Sequence, residues 1–239
     1  VAQSGTRQPR MASVPQGVAD VELFTSQGCN SCPPADAALR QMDSVAKKSR
    51  LPVYVLSFHV DYWNRLGWTD PYSSANYSKR QRFYATASGS RRVYTPQMIV
   101  NGKTEFVGSD RAKANEAITA SLKRKASSIV RLKADADASS GQISVQYEVK
   151  GVLASQRLNF AVVDTPVANS VPRGENAGRT LGHVNVVRTF MSVPLNESSG
   201  RVELTVPDDV KASRATVIAY VQDPNSLAVQ GASAVSLGS

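Results

Sequence analysis

The chain of 239 residues carries 28 lysines and arginines against 19 aspartates and glutamates, a formal charge of +9, with only two cysteines and two histidines. That length buries a core without disulfide staples and lies between one large domain and two small ones, of which two is the expectation. No run of eighteen apolar residues occurs, so no transmembrane segment is expected, and the basic residues form short clusters (Lys47-Lys48-Ser49-Arg50, Arg91-Arg92, Lys123-Arg124-Lys125) without a nucleic-acid-binding signature, so no nucleic-acid partner is expected.

Residues 1–16 are polar and rich in Gln, Ser, Arg and Pro, the composition of a flexible leader. With no initiator methionine and no apolar signal segment, this opening has the look of a processed export product or a trimmed chain. Together with free use of Ser, Thr, Asn and Gln and a closely spaced cysteine pair, it sets the expectation of a periplasmic or secreted protein.

Residues 18–25 alternate as a strand does, with Val21 and Leu23 on one side, and Ser26-Gln27-Gly28 breaks the run. The spacing then predicts a helix over 32–48. Pro33 and Pro34 suit its first turn, Ala35, Leu39, Met42, Val45 and Ala46 recur on one face, and Lys47 and Lys48 stand at the negative end of its dipole. Residues 51–60 are a dense apolar run, the composition of a strand buried on both faces, and lead into a polar and aromatic cluster from His59 to Trp68. A helix over 72–86 follows, then a strand over 93–100 interrupted at its start by Thr95-Pro96. Asn101-Gly102 predicts a hairpin into residues 103–107, and a closing helix spans 110–125, with Ala112, Ala117, Ile118 and Leu122 inside. A mixed sheet covered by helices accommodates that order, so the first half reads as α/β.

Beyond residue 127 the pattern changes to short strands alone, at 129–132, 143–149, 157–163, 184–193, 202–206 and 216–221, separated by Gly, Ser, Pro, Asp and Asn. This predicts an all-β domain of β-sandwich type. The interval 164–182 holds Pro166, Pro172, Gly174, Gly178 and Gly182 among Arg173, Glu175, Asn176 and Arg179, and reads as a binding or lid loop. The tail from Leu227 could supply a last edge strand. The expected organisation is a leader over 1–16, an α/β domain over 17–127 and a β-sandwich-like domain over 128–239.

The chemistry centres on Gln27-Gly28-Cys29-Asn30-Ser31-Cys32-Pro33-Pro34. A bond between cysteines this close adds little by chain entropy, so redox or metal chemistry suits the pair better than stapling. At the start of a helix, free amides and the dipole favour a thiolate. Cys29 is thus the expected attacking thiol, beside a substrate groove, and Cys32 the resolving one. Two alternatives stay open: an inert bridge, or a metal site. Zinc usually takes about four ligands; Cys29 and Cys32 with His59 or His183 would instead form a soft set suited to copper. His59, ending the second strand, reads as a proton shuttle, a metal ligand or a structural histidine bonded to Asp61 or to backbone. Asp61, Tyr62, Trp63 and Trp68 read as a groove wall or an aromatic satellite of the core. Arg92 could lower the thiolate pKa by its charge, and His183 could return over the pair.

The succession of strand, Cys-x-x-Cys and helix, with Thr95-Pro96 ahead of the hairpin, resembles the thioredoxin-like superfamily. The resemblance implies that Pro96 is cis and packs against the disulfide, and that Thr95 pairs with an extended substrate. The stretches Glu22 to Cys29, Cys32 to Asp36, His59 to Trp63, Thr95 to Gly102 and Gly182 to Arg188 more closely resemble the DUF1223 family of bacterial proteins. That resemblance implies a thioredoxin-like domain followed by a β-rich one, and export, without a substrate. Asn30-Ser31 between the cysteines departs from the dipeptides of both reducing and oxidising thioredoxin relatives, and leaves the direction of electron flow open. The resulting reading is a thiol-disulfide oxidoreductase acting on a protein or peptide thiol or disulfide through Cys29, Cys32, Thr95, Pro96 and His59, with no cofactor. The alternatives are a copper or other metal carrier and a non-catalytic binding module.

Overall fold

The computed structural model describes residues 17–90, 92–137, 141–151 and 155–238. The leader expected over residues 1–16 and Arg91 of the second basic cluster lie outside the described residues. In chain order the elements are β1 (Ala19–Thr25), α1 (Pro33–Ser49), β2 (Val53–His59), α2 (Ala75–Ala87), β3 (Gln97–Val100), β4 (Thr104–Val107), α3 (Arg111–Lys123), β5 (Ser128–Asp137), β6 (Gln142–Gly151), β7 (Arg157–Asp164), β8 (Val167–Val171), β9 (Arg179–His183), β10 (Val186–Pro194), β11 (Ser199–Thr205), β12 (Ala215–Gln222) and β13 (Val229–Ser236). They form an N-terminal α/β region followed by a larger region of mostly antiparallel strands.

One eight-stranded sheet runs through both regions in the order β13-β12-β7-β10-β2-β1-β3-β4. β1 and β2 are parallel, paired from Ala19↔Val53 to Thr25↔His59, and the long connection a parallel pair requires is α1. β3 and β4 add antiparallel strands outside β1, and Asn101 and Gly102 turn between them at φ 48° and 68°. The two regions meet where β10 lies parallel to β2 at Val186↔Ser57 and the Ser57 N–H donates to the Asn185 carbonyl at 2.9 Å. β7, β12 and β13 continue the sheet antiparallel. The tail strand forms, as β13, at one edge of the sheet.

Strand alternation divides the core. Val21, Leu23, Val55, Met98 and Val100 pack with Ala35 and Leu39 of α1 and Ala114 and Ala117 of α3 on one face. Phe24, Leu56, Phe58 and Ile99 point the other way, against Tyr77 and Tyr84 of α2, and this cluster continues across the seam to Ala161, Val163, Val187, Ile218 and Tyr220. The alternate residues of β7 and β12, among them Phe160, Val162, Val217 and Ala219, face Val130, Ile143, Val145 and Leu204 of a small sheet ordered β11-β6-β5.

Three sequence expectations shift in detail. Val45, placed inside on periodicity, is 49% exposed, and Ala112 is exposed while Ala114 takes the inner position of α3. β1 is buried at every position, including Asp20 and Glu22, because helices cover both of its faces. Within the interval read as a loop, Val167, Val171 and Leu181 turn inward, and with His183 just beyond it they build the β8–β9 hairpin. Its prolines and glycines obscure that alternation in the sequence. Among the described residues no helix is long and apolar enough to cross a membrane.

Candidate functional site

β1 ends at Thr25, and the next residues carry the chain to the start of α1 through three tight contacts. The Ser26 hydroxyl accepts from the Gly28 N–H at 3.1 Å, the Cys29 N–H donates to the Ser26 carbonyl at 3.2 Å, and the Cys32 N–H donates to the Cys29 carbonyl at 3.2 Å. Gly28 is favoured here by closeness rather than by torsion, since a Cβ at that position would lie 3.0 Å from Trp63 Cβ. Cys32 is the N-cap of α1, with prolines at the next positions, where a missing amide hydrogen loses nothing. Cys29 and Cys32 are joined in a disulfide.

The Thr95–Pro96 peptide bond is cis. The Thr95 hydroxyl donates to Cys29 Sγ at 3.3 Å and accepts from Trp63 Nε1 at 2.8 Å, while Ser31 Oγ lies 3.3 Å from the same sulfur. Pro96 is held by its carbonyl, which accepts from the Gly108 N–H at 2.9 Å. A Cβ on Gly108 would come within 2.7 Å of Leu23 Cδ1, 3.1 Å of Ala35 Cβ and 3.3 Å of Pro96 Cβ, so a larger residue there would push on Leu23 and on the contact between the proline loop and α1.

The second region supplies the cover. Both cysteines are fully buried, and in place of the expected open groove lies the turn joining β8 to β9. Asn176, itself fully buried, donates from Nδ2 to the carbonyls of Gln27 and Cys29 at 2.9 Å each, and Glu175 Oε2 accepts from the Asn30 N–H at 3.0 Å. The turn also abuts the connection after β2, where a Cβ on Gly174 would touch Leu66 and Trp68.

A buried polar cluster backs this loop. His59 Nδ1 donates to Asp70 Oδ2 at 2.7 Å, and the same carboxylate oxygen accepts from the Gln27 N–H at 2.8 Å. Burial pushes the His59 pKa down, but the charge and hydrogen bond of Asp70 outweigh it and leave it raised. Burial of Asp70 acts upward, yet His59 and two backbone amides hold its carboxyl below the usual range. The rings of His59 and His183 meet edge to face, 4.7 Å between centroids. Gln27 Oε1 accepts from Trp68 Nε1 at 3.1 Å, so its amide nitrogen is the group 3.4 Å from His183 Nε2. His183 Nδ1 faces Asp36 Oδ1 at 3.6 Å. Asp36 stands one helical turn after Cys32, and its amide donates to the Cys32 carbonyl.

The expected site residues Cys29, Cys32, Thr95 and Pro96 thus converge, with His59 and His183 together in the buried layer behind them. The histidine partner is Asp70, while Asp61 accepts from Ser78. Tyr62 bonds Gln81, Trp68 bonds Gln27, and Trp63 bonds the Thr95 hydroxyl. Arg92 is exposed, its backbone bonded to Ser90. Asp36 and Asp70 were missed by the sequence reading. Asp36 left a signal, a carboxylate four residues after Cys32 on the apolar face of α1. Asp70 left none. Among the described residues no three of His, Cys, Asp and Glu come together as a set able to hold a metal ion, which weighs against the metal-carrier alternative.

Fold and site together define a protein in which a buried Cys-x-x-Cys disulfide starts the first helix of an α/β region and is covered by a hairpin from a β-rich region in the same sheet. The chain matches the family described as "Protein of unknown function (DUF1223)" over residues 21–222 and belongs to that family. It is also similar to a crystal structure of an Agrobacterium tumefaciens protein, at 30% identity and a TM-score of 0.70, over 93% of this chain and 96% of that one. No curated protein matches.

Proposed function

We propose that the protein carries out thiol-disulfide exchange through Cys29 and Cys32 on a protein or peptide substrate, within a thioredoxin-like domain over residues 17–127 that is joined to a β-sandwich-like domain over 128–239. The observation that carries this reading is the disulfide itself, formed at Cys-x-x-Cys spacing where a strand passes into α1, with the Thr95 hydroxyl on Cys29 Sγ. Cys29 is the attacking thiol, because its thiolate forms before the positive end of the α1 dipole, and Cys32 resolves the mixed disulfide. The Thr95 hydroxyl borders the sulfur and Pro96 follows through a cis bond, and in this reading a substrate backbone lies along Thr95. His59 acts behind the loop by fixing Asp70 and through it the Gln27 amide. The two-layer packing of β5, β6 and β11 on β7 and β12 supports the sandwich reading. A periplasmic or secreted location fits a stable disulfide.

Reduction potential and trapping test the proposal. The potential should fall within the span of exchange proteins, roughly −270 to −120 mV. Cys32→Ser should accumulate a mixed disulfide with a substrate thiol through Cys29, and Cys29→Ser should abolish insulin reduction. A Cys29→Ser variant as active as the natural chain would remove the reading.

A further inference from the structure

The Cys-x-x-Cys loop is met by a carboxylate from the far half of the chain. Glu175 reaches the Asn30 N–H, between the two cysteines, at 3.0 Å. Its position is fixed by the neighbouring Asn176, whose Nδ2 is bonded to the Gln27 and Cys29 carbonyls and whose Oδ1 accepts from Arg179 Nη1 at 2.9 Å. The amides at this turn are those that favour a thiolate on Cys29. A carboxylate on one of them takes up a donor and opposes a second negative charge beside it.

Building on the exchange reading, we propose that Glu175 sets the redox poise of the pair: its docked carboxylate makes the Cys29 thiol less acidic and the Cys29–Cys32 disulfide harder to reduce than the bare helix start would. Reduction breaks the Cys29–Cys32 bond, takes two electrons and two protons from an external dithiol that becomes a disulfide, and leaves two thiols. Cys29 then releases its proton to solvent as it becomes the thiolate, and that charge is the one Glu175 opposes. Since Glu175 sits on the turn that also buries the sulfurs, a partner that lifts the β8–β9 turn removes the cover and the opposing charge in one movement. The charged or titratable groups on or against this turn include Arg173 on the turn itself, Arg179 at the start of β9, and Asp36, His59, Asp70 and His183 behind the loop. The test leaves all of them in place.

Glu175→Gln, Glu175→Asp and Glu175→Ala are made in the full chain. Each is equilibrated with dithiothreitol or glutathione redox buffers, and the thiol pKa of the reduced form is read from thiolate absorbance. Glutamine can still accept from the Asn30 N–H, so Glu175→Gln removes the charge and keeps the contact. The expected result is a roughly threefold shift toward the dithiol, about 14 mV more oxidising for a two-electron couple, with a lower Cys29 pKa, while Glu175→Asp stays with the natural chain. Glu175→Gln indistinguishable from the natural chain in both readouts, or shifted the opposite way, overturns the proposal, and a change confined to Glu175→Ala would assign Glu175 to docking alone. These equilibria are read on the pair itself, so a chain that equilibrates with glutathione yet exchanges with no protein or peptide disulfide would defeat the exchange reading and leave the Glu175 test standing.

Discussion

His59 and Asp70 are sealed from solvent and bonded at 2.7 Å, so their protonation is tied to stability. The folded pKa of His59 lies above its ordinary 6.5, which means the folded chain binds its proton more tightly. That stabilisation is complete below about pH 6.5 and is lost as pH rises through the folded value. Asp70 is the converse: its folded pKa lies below 3.8, so its contribution is complete above that pH and is lost as pH falls through the folded value. The natural chain should therefore lose urea stability above neutrality. His59→Gln should flatten that limb, and Asp70→Asn should cost about 3–5 kcal/mol near pH 6, as breaking a buried pair does. Urea midpoints across pH 5 to about 9 read both; parallel curves for His59→Gln and the natural chain would dissociate His59 from the alkaline limb. Residue types at this scale were only partly legible. Cys29, Cys32 and Thr95-Pro96 stand out because chemistry restricts their spacing. Asp70, eleven residues past His59 in a polar aromatic loop, looks like any surface aspartate until the loop folds back.

At the scale of elements, the β8–β9 hairpin matters most, because it joins the regions at the disulfide. Asn176 makes two hydrogen bonds into the Cys29 loop from a fully buried position, and losing them strips the Gln27 carbonyl of its partner at about 1–3 kcal/mol, while the Cys29 carbonyl keeps the Cys32 N–H. Asn176→Ala should therefore open the cover more often and speed reduction of the disulfide by dithiothreitol roughly tenfold, since 1.4 kcal/mol is a factor of ten. Stopped-flow thiol trapping measures that rate; an unchanged rate would show that attack does not pass through this turn. The sequence marked residues 164–182 as a functional segment by length and by its prolines and glycines, but not as a hairpin. Val167 and Val171, and Leu181 and His183, keep the period of strands, but each strand is short and prolines and glycines surround both. Elements with dense apolar patterning, such as α1 and β2, were legible to within a few residues. The inner face of α3 was not, since several alanines compete for it.

Across the whole molecule, one buried ion pair ties the regions together. Arg80 of α2 donates from Nε to Glu22 Oε2 at 2.8 Å and from Nη2 to Oε1, and the same Glu22 oxygen accepts from Tyr84 and from Tyr220 of β12 at 2.8 and 2.9 Å. The guanidinium carbon lies 4.6 Å from the Phe190 ring centroid and 4.9 Å from that of Tyr84. Strands that the sequence separated by a change of pattern near residue 127 thus share a core as well as a sheet. No local pattern could announce this, because Glu22 and Tyr220 meet only once β12, β7, β10 and β2 have joined in that order. Asp20, two residues from Glu22, is buried, and its carboxyl is held well above the usual range by burial and then by the charge of Glu22, with Arg80 acting in the opposite direction. Arg80→Ala should therefore cost about 3–5 kcal/mol, and more at about pH 8 than at pH 5, because losing the cation that acts downward on Asp20 leaves that carboxyl to fold protonated, at a cost that grows as pH rises. It should do so in one transition seen alike by tryptophan fluorescence, from the α/β region, and by far-ultraviolet dichroism, from both. Two separated transitions, or a loss under about 1 kcal/mol, would mean that the regions are stabilised independently and that the Arg80 cluster belongs to α2 alone.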